Sequence, residues 1–200
     1  MKGSLTIVGF FVLGIACGLW HLLPDISTWG NMSFYTLCAL MFCVGVSVGG
    51  NSEVLRSFKQ LDWRLMLLPL TTIVGTLAGC TIVAWTLPQR SLADCLAVGS
   101  GFGYYSLSSI FITQYRGAEL GTVALLANVV REVFTLLGAP LLVRWFGPLA
   151  PITSGGATTM DTTLPVITQC SGNEFVMLSL MHGFVVDFSV PFLVTFFCTL

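Results

Sequence analysis

The sequence predicts an all-α, polytopic membrane helix bundle with two broken or re-entrant elements. Three observations carry that prediction. Hydrophobic residues make up 55% of the 200 residues and charged residues only 8%, with a mean hydropathy of +0.90; a soluble domain has roughly 25% charged residues. Apolar runs long enough to span a bilayer recur along the chain. Two stretches rich in glycine and hydroxyl residues interrupt those runs, and irregular backbone at membrane depth is tolerated only where it lines a cavity or is buried in protein. A net charge of −1 argues against a nucleic-acid partner. The seven cysteines (17, 38, 43, 80, 95, 170 and 198) show no C-x-x-C or other metal spacing and read as small packing residues, so neither a metal nor a cofactor is expected.

In chain order, residues 1–92 read as a three-span scaffold, and the whole chain as one transporter domain. Span 1 covers about 5–23. Lys2 and Ile15-Ala16-Cys17 mimic a signal sequence, but the apolar run continues to Leu23, so a retained span is expected. Trp20 and Trp29 flank the following turn at interface depth. Span 2 covers about 34–48. Residues 51–64 are the most polar loop, with Arg56, Lys59 and Arg64, which places the loop and the N-terminus in the cytoplasm. Span 3 covers about 65–87. Gly14/Gly18, Gly45/Gly49 and Gly75/Gly79 give one G-x-x-x-G per span, the spacing that lets helix backbones approach closely in lipid.

The first broken element is centred on Gly99, Gly101 and Gly103, followed by Tyr105, Ser106 and Ser108. Its freed backbone groups and hydroxyls suit a polar solute; a packing cluster of glycines is the plainer alternative. A helix over about 119–143, ending near Pro140 and Arg144, then carries Asn128, Arg131 and Glu132 in mid-span. Charge at that depth costs on the order of several kcal/mol unless it is paired or faces a cavity. Asn128 and Glu132, four apart, share a face. Arg131 points elsewhere and is expected either to hold a substrate carboxylate or to neutralise Asp161 or Asp187. The second broken element carries Gly155, Gly156, Thr159, Asp161, Thr163 and Pro165, with Pro165 blocking regular helix hydrogen bonding. The last span, about 175–200, holds His182, Asp187 and Pro191; a lone intramembrane histidine is as often a packing residue as a ligand.

Residues 99–145 align without gaps on 154–200 at an offset of 55, so that Ile112-Thr113-Gln114 falls on Ile167-Thr168-Gln169 and Glu132 on Asp187. The repeat units are therefore 93–145 and 154–200. Two topologies are open. If both broken elements cross the membrane, the units are parallel and the chain makes seven crossings. If both are re-entrant, the units are inverted and the chain makes five. The inverted arrangement is favoured, because facing broken elements at a midplane site are a recurrent transporter design. Both topologies put the C-terminus outside.

Four motifs in order resemble the LysO family of lysine exporters. They are Gly99-Ser100-Gly101-Phe102-Gly103-Tyr104-Tyr105-Ser106-Leu107-Ser108, Asn128-Val129-Val130-Arg131-Glu132, Gly156-Ala157-Thr158-Thr159-Met160-Asp161-Thr162-Thr163-Leu164-Pro165 and His182-Gly183-Phe184. The earlier Phe42-Cys43-Val44-Gly45-Val46 and the basic loop after it also fit. The resemblance implies export of L-lysine and its toxic analogues across the bacterial cytoplasmic membrane, coupled to proton or Na⁺ movement. It also implies that Glu132 matches one of the family's important intramembrane acids. The family's N-terminal module, with its own acid, has no counterpart here. That leaves Asp187, Asp161, a separate small membrane subunit or a second copy of this chain in a homodimer as sources of a second acid.

Three other function classes compete with export. A Na⁺/H⁺-type cation antiporter would use Asp161 and Glu132 as its ion site. A transporter subunit would need a separate partner. A membrane-embedded enzyme is disfavoured, because no G-x-S-x-G, H-E-x-x-H or G-x-G-D pattern occurs.

Overall fold

The computed structural model describes residues 63–200 continuously, and Cys17, Leu19, Tyr35, Ala39, Phe42 and Val46 as isolated helical positions. Those six fall within the first two predicted spans. The remainder of both spans, the basic loop up to residue 62, and the Gly14/Gly18 and Gly45/Gly49 pairs lie outside the described residues. The chain divides into two compact units, Met1–Gly50 and Asn51–Leu200. The elements described below all belong to the second.

Every regular element among the described residues is helical. A turn of helix, Trp63–Met66, leads into α1 (Leu68–Thr86), whose Pro69 sits in the first turn, where its missing N–H is not needed. At 1.5 Å per residue, its 19 residues reach about 28 Å, close to the hydrocarbon thickness of a bilayer. Helix α2 (Leu92–Gly99) opens on a capping box made by Ser91 and Asp94. It stops at a short break in which Phe102 has φ 45° and Gly103 φ 97°. Helix α3 (Tyr105–Arg116) resumes and ends at Gly117. Helix α4 (Ala118–Phe146) is the longest, at 29 residues. It runs straight through Pro140, contrary to the expected end there, and stops only at Gly147. The ring costs one backbone hydrogen bond, which the rest of a long apolar helix tolerates.

The same order then recurs. Helix α5 (Ala150–Gly155) is followed by a 3-10 segment, Gly156–Met160, by α6 (Leu164–Ser171), and by α7 (Val176–Thr199) after the turn Asn173–Phe175. Pro165 does not block α6; it lies in the first turn and helps to start it. So the element order short helix, break, second short helix, long helix occurs twice, the second time beginning at Ala150, before the predicted unit bound of 154.

Only α1, α4 and the helical stretch ending in α7 are long and apolar enough to cross a membrane among the described residues. Their burial differs: 44% of the apolar window around α7 lies inside the protein, but only 11% of that in α1, so α7 is the central helix and α1 a peripheral one. Small residues permit close approach. A Cβ on Gly121 of α4 would collide with the Thr113 side chain of α3, so these two helices, joined by Gly117, pack backbone to backbone. Ile152, Ile167, Leu178 and Met181 form a core from α5, α6 and α7, joined by Leu65 and Leu68.

The short helices fold back on themselves. Asp94, at the start of α2, and Arg116, at the end of α3, approach to 3.7 Å. Arg116 Nε also donates to the Cys198 carbonyl at the end of α7, at 2.9 Å. Arg90, before α2, pairs with Glu119 at the start of α4. At the opposite end of the bundle, Ser171 Oγ, closing α6, donates to the Pro148 carbonyl just before α5, at 2.9 Å.

Candidate substrate and ion site

The two breaks meet. The Ala157 N–H donates to the Phe102 carbonyl at 2.9 Å. A side chain at Gly156, where φ is +63°, would run into that same carbonyl, so the approach requires glycine there. Residues 102 and 157 differ by 55, the offset of the sequence alignment.

The first break is held by one side chain. Asn128, 3% exposed on α4, accepts the Gly103 N–H through Oδ1 at 2.7 Å. Its amide donates to the carbonyls of Ala124 (2.8 Å) and Val98 (3.3 Å). Ser108 is buried beside it, and its hydroxyl donates to the Tyr104 carbonyl at 2.8 Å. A buried amide N–H left unpaired costs on the order of 1–3 kcal/mol, so Asn128 stabilises the interruption that the glycines permit.

The second break is held by a cation and a buried network. Arg131 Nε donates to the Ser154 carbonyl at 2.8 Å, Nη2 to the Thr153 carbonyl at 3.1 Å, and Nη1 to the Thr76 hydroxyl at 3.2 Å. The guanidinium thus caps the carbonyl end of α5, where the helix dipole is negative, and stands 6.0 Å from the centre of the Phe102 ring. Its donors do not go to Asp161 or Asp187; among the described residues it has no acidic partner. His182, fully buried, contacts Thr72 Oγ1 through Nε2 at 2.9 Å and Thr159 Oγ1 through Nδ1 at 3.2 Å. The single Thr159 hydroxyl proton faces the carbonyls of Gly156 and Ser179, at 2.8 and 2.9 Å. Nδ1 must therefore be the donor to Thr159, and Nε2 accepts from Thr72. Thr163 is buried against Thr158 at 3.2 Å.

The acids contrast with this saturation. Glu132 is half-buried and makes no hydrogen bond or ion pair with any described residue. Asp187 is 4% exposed, and its buried Oδ1 has no hydrogen-bond partner. Asp161 and Tyr104 lie within electrostatic range of Asp187. Asp161 itself is exposed and turned onto the Thr162 N–H. Ser106 is exposed, Tyr105 half-buried and Pro165 exposed, while Gly99 lies half-buried at the end of α2 and Gly101, Gly103, Gly155 and Gly156 are buried in the breaks. The predicted residues therefore sort into those that hold the breaks (Asn128, Arg131, His182, Ser108, Thr159, Thr163) and those with free polar atoms (Glu132, Asp187).

Sequence reasoning placed α1 as the third span but missed what it contributes to the site. Thr72 and Thr76 reach His182 and Arg131 from it. Their i, i+4 spacing in an otherwise apolar span was the available signal. It also missed a cavity of about 340 Å³ between α1, α2 and α4, which runs along α1 from Thr76 past Cys80 and on to Arg90 in the loop before α2, and includes Asn128 and Arg131 in its wall.

The lysine exporter LysO family matches residues 8–198. The chain belongs to that family. It is 35% identical to the lysine exporter LysO of Escherichia coli over 97% of this chain and 64% of that protein. It is 33% identical to a putative lysine exporter of Haemophilus influenzae over 97% of this chain and 95% of that one. The chain thus spans less than two thirds of the first relative and almost all of the second. No solved structure matches it. In this LysO-family chain, the residues of the four motifs form the two breaks and the helix faces packed on them.

Proposed function

We propose that this protein exports L-lysine and related cationic amino acids across the bacterial cytoplasmic membrane, in exchange for protons or another ion. One observation carries the reading: two intramembrane acids 55 residues apart, Glu132 and Asp187, have no hydrogen-bond partner among the described residues, while the residues that hold the breaks are all bonded to them. Unpaired acids at that depth are costly, and a cationic substrate or a proton relieves the cost. The names of the two relatives support lysine as the cation. Glu132 takes the substrate amine or a proton in turn, and Asp187 is the second acid. The process is transport rather than covalent chemistry.

The topology that fits is the inverted one. Asp94 near Arg116 and Ser171 near Pro148 make each pair of short helices a hairpin that returns to the end it came from. At about 12 Å and 18 Å, α2 and α3 are each too short to span. With the basic loop cytoplasmic, Arg144 lies inside, Arg90, Arg116 and the C-terminus lie outside, and the two re-entrant hairpins meet at Phe102 and Ala157. A contact between equivalent residues is what a two-fold axis in the membrane plane requires.

The test is efflux of labelled lysine from proteoliposomes holding only this chain. Lysine efflux that is lost in Glu132→Gln supports the proposal. Loss of Na⁺ tolerance with intact lysine efflux would make the protein a cation antiporter instead. Efflux that appears only with a co-purified small membrane protein would make it a subunit.

A further inference from the structure

We propose that the cavity between α1, α2 and α4 binds the carboxylate end of an α-amino acid, through the guanidinium of Arg131 and the hydroxyl of Thr76. The inference deepens the export reading by assigning the anionic end of the substrate, and it rests on that reading only for the choice of lysine as probe.

Arg131 carries a fixed positive charge in the middle of a 29-residue apolar helix. Among the described residues the acids that could neutralise it are engaged or elsewhere: Asp94 with Arg116, Glu119 with Arg90, and neither Glu132 nor Asp187 in an ion pair with it. Neutral carbonyls hold it in place but do not cancel its charge, and a desolvated cation without a counter-anion is costly. A guanidinium has five N–H groups. Each nitrogen makes one bond here, so one N–H on Nη1 and one on Nη2 are unspent. Two N–H groups on neighbouring nitrogens suit the two oxygens of a carboxylate.

The cavity puts space beside that charge. Its volume, about 340 Å³, falls at the lower end of the range for small-ligand sites. Val83, Val98, Leu120 and Val123 give it an apolar wall for a carbon chain, while Thr76 and Arg131 both line it. The three bonds to Thr153, Ser154 and Thr76 pin the fork, so an incoming carboxylate meets a preorganised group. Asp187 does not line this cavity.

Cys80 and Cys95 also line the cavity and provide the readout. Variants keeping only Cys80 or only Cys95 are reconstituted in liposomes and labelled with N-ethylmaleimide. L-lysine at ten times its dissociation constant should slow labelling about tenfold. Norleucine, which keeps the carboxylate but lacks the terminal amine, should also protect. Cadaverine, which keeps the amines but lacks the carboxylate, should not. Arg131→Gln should remove the protection. Because that change also frees the Thr153 and Ser154 carbonyls, Val98→Phe provides a second variant that fills the cavity and leaves the guanidinium bonds alone; it should lose protection with an unchanged thermal transition. Equal protection by cadaverine, undiminished protection in Val98→Phe, or no protection by lysine in a protein that still exports it would overturn the site. Protection by lysine in a protein that moves no lysine would overturn the export reading and leave the site standing.

Discussion

The two repeat units share an element order and differ in what holds their breaks. In the first, Asn128 satisfies the break from its own long helix, and no charge is involved. In the second, the guanidinium of Arg131 reaches across from the first unit, while His182, Thr159 and Thr72 close a buried hydroxyl–imidazole chain. The acids follow suit: Glu132 is half-buried, and its counterpart Asp187 is buried with an oxygen unsatisfied. A shared scaffold therefore carries one unit with a lightly tethered break and an accessible acid, and another with a locked break and a concealed acid. The lesson is that a recurring order of helices need not bring a recurring set of polar contacts.

Four substitutions probe that contrast. Glu132→Gln should have the largest effect: lysine efflux down by at least ~100-fold, as expected for an essential intramembrane acid, with the thermal transition unmoved because no hydrogen bond is lost. Asp187→Asn should slow efflux less, by ~10-fold, and flatten its dependence on external pH, on the proposal that the export is exchanged for protons and that this acid carries them. Equal damage from the two changes would erase the functional difference between the units. His182→Ala leaves the buried Thr72 hydroxyl without its acceptor and opens a cavity, which should cost about 3 kcal/mol in denaturant melts of the purified protein. Asn128→Ala leaves the Gly103 N–H unpaired and should cost about 2 kcal/mol in the same measurement. A reversed order would mean that the first break, not the second, is the locked one.

Much of this was legible in the sequence. Glycines at 99, 101 and 103, and at 155 and 156, announced both breaks, and the offset of 55 announced that the helices after them would correspond. Asn128, Arg131 and Glu132 were conspicuous because polar atoms are expensive in an apolar run. Their partners were not legible. Arg131 was expected to hold a substrate carboxylate or to neutralise Asp161 or Asp187; its protein partners are carbonyls instead of those acids, because the end of α5 arrives beside it only through tertiary packing. Pro140 was expected to stop a helix that continues, and Pro165 to disrupt a helix that it starts. In both cases the ring's effect depends on its position within a turn, which periodicity does not give. The contribution of α1 was hidden because two threonines in an apolar span look like ordinary spacing residues.

Phe102 has a consequence of its own. Its φ of 45° lies where only glycine rests comfortably, and the strain of such a residue is on the order of 1–2 kcal/mol. Three attachments resist its relaxation: full burial, the ring lying near Arg131, and the carbonyl taken by Ala157. Turning this one residue back to an ordinary right-handed backbone would pull the carbonyl from the second unit and the ring from the guanidinium in the same stroke. Phe102→Gly would relieve that strain and remove the ring from the guanidinium without touching a charge.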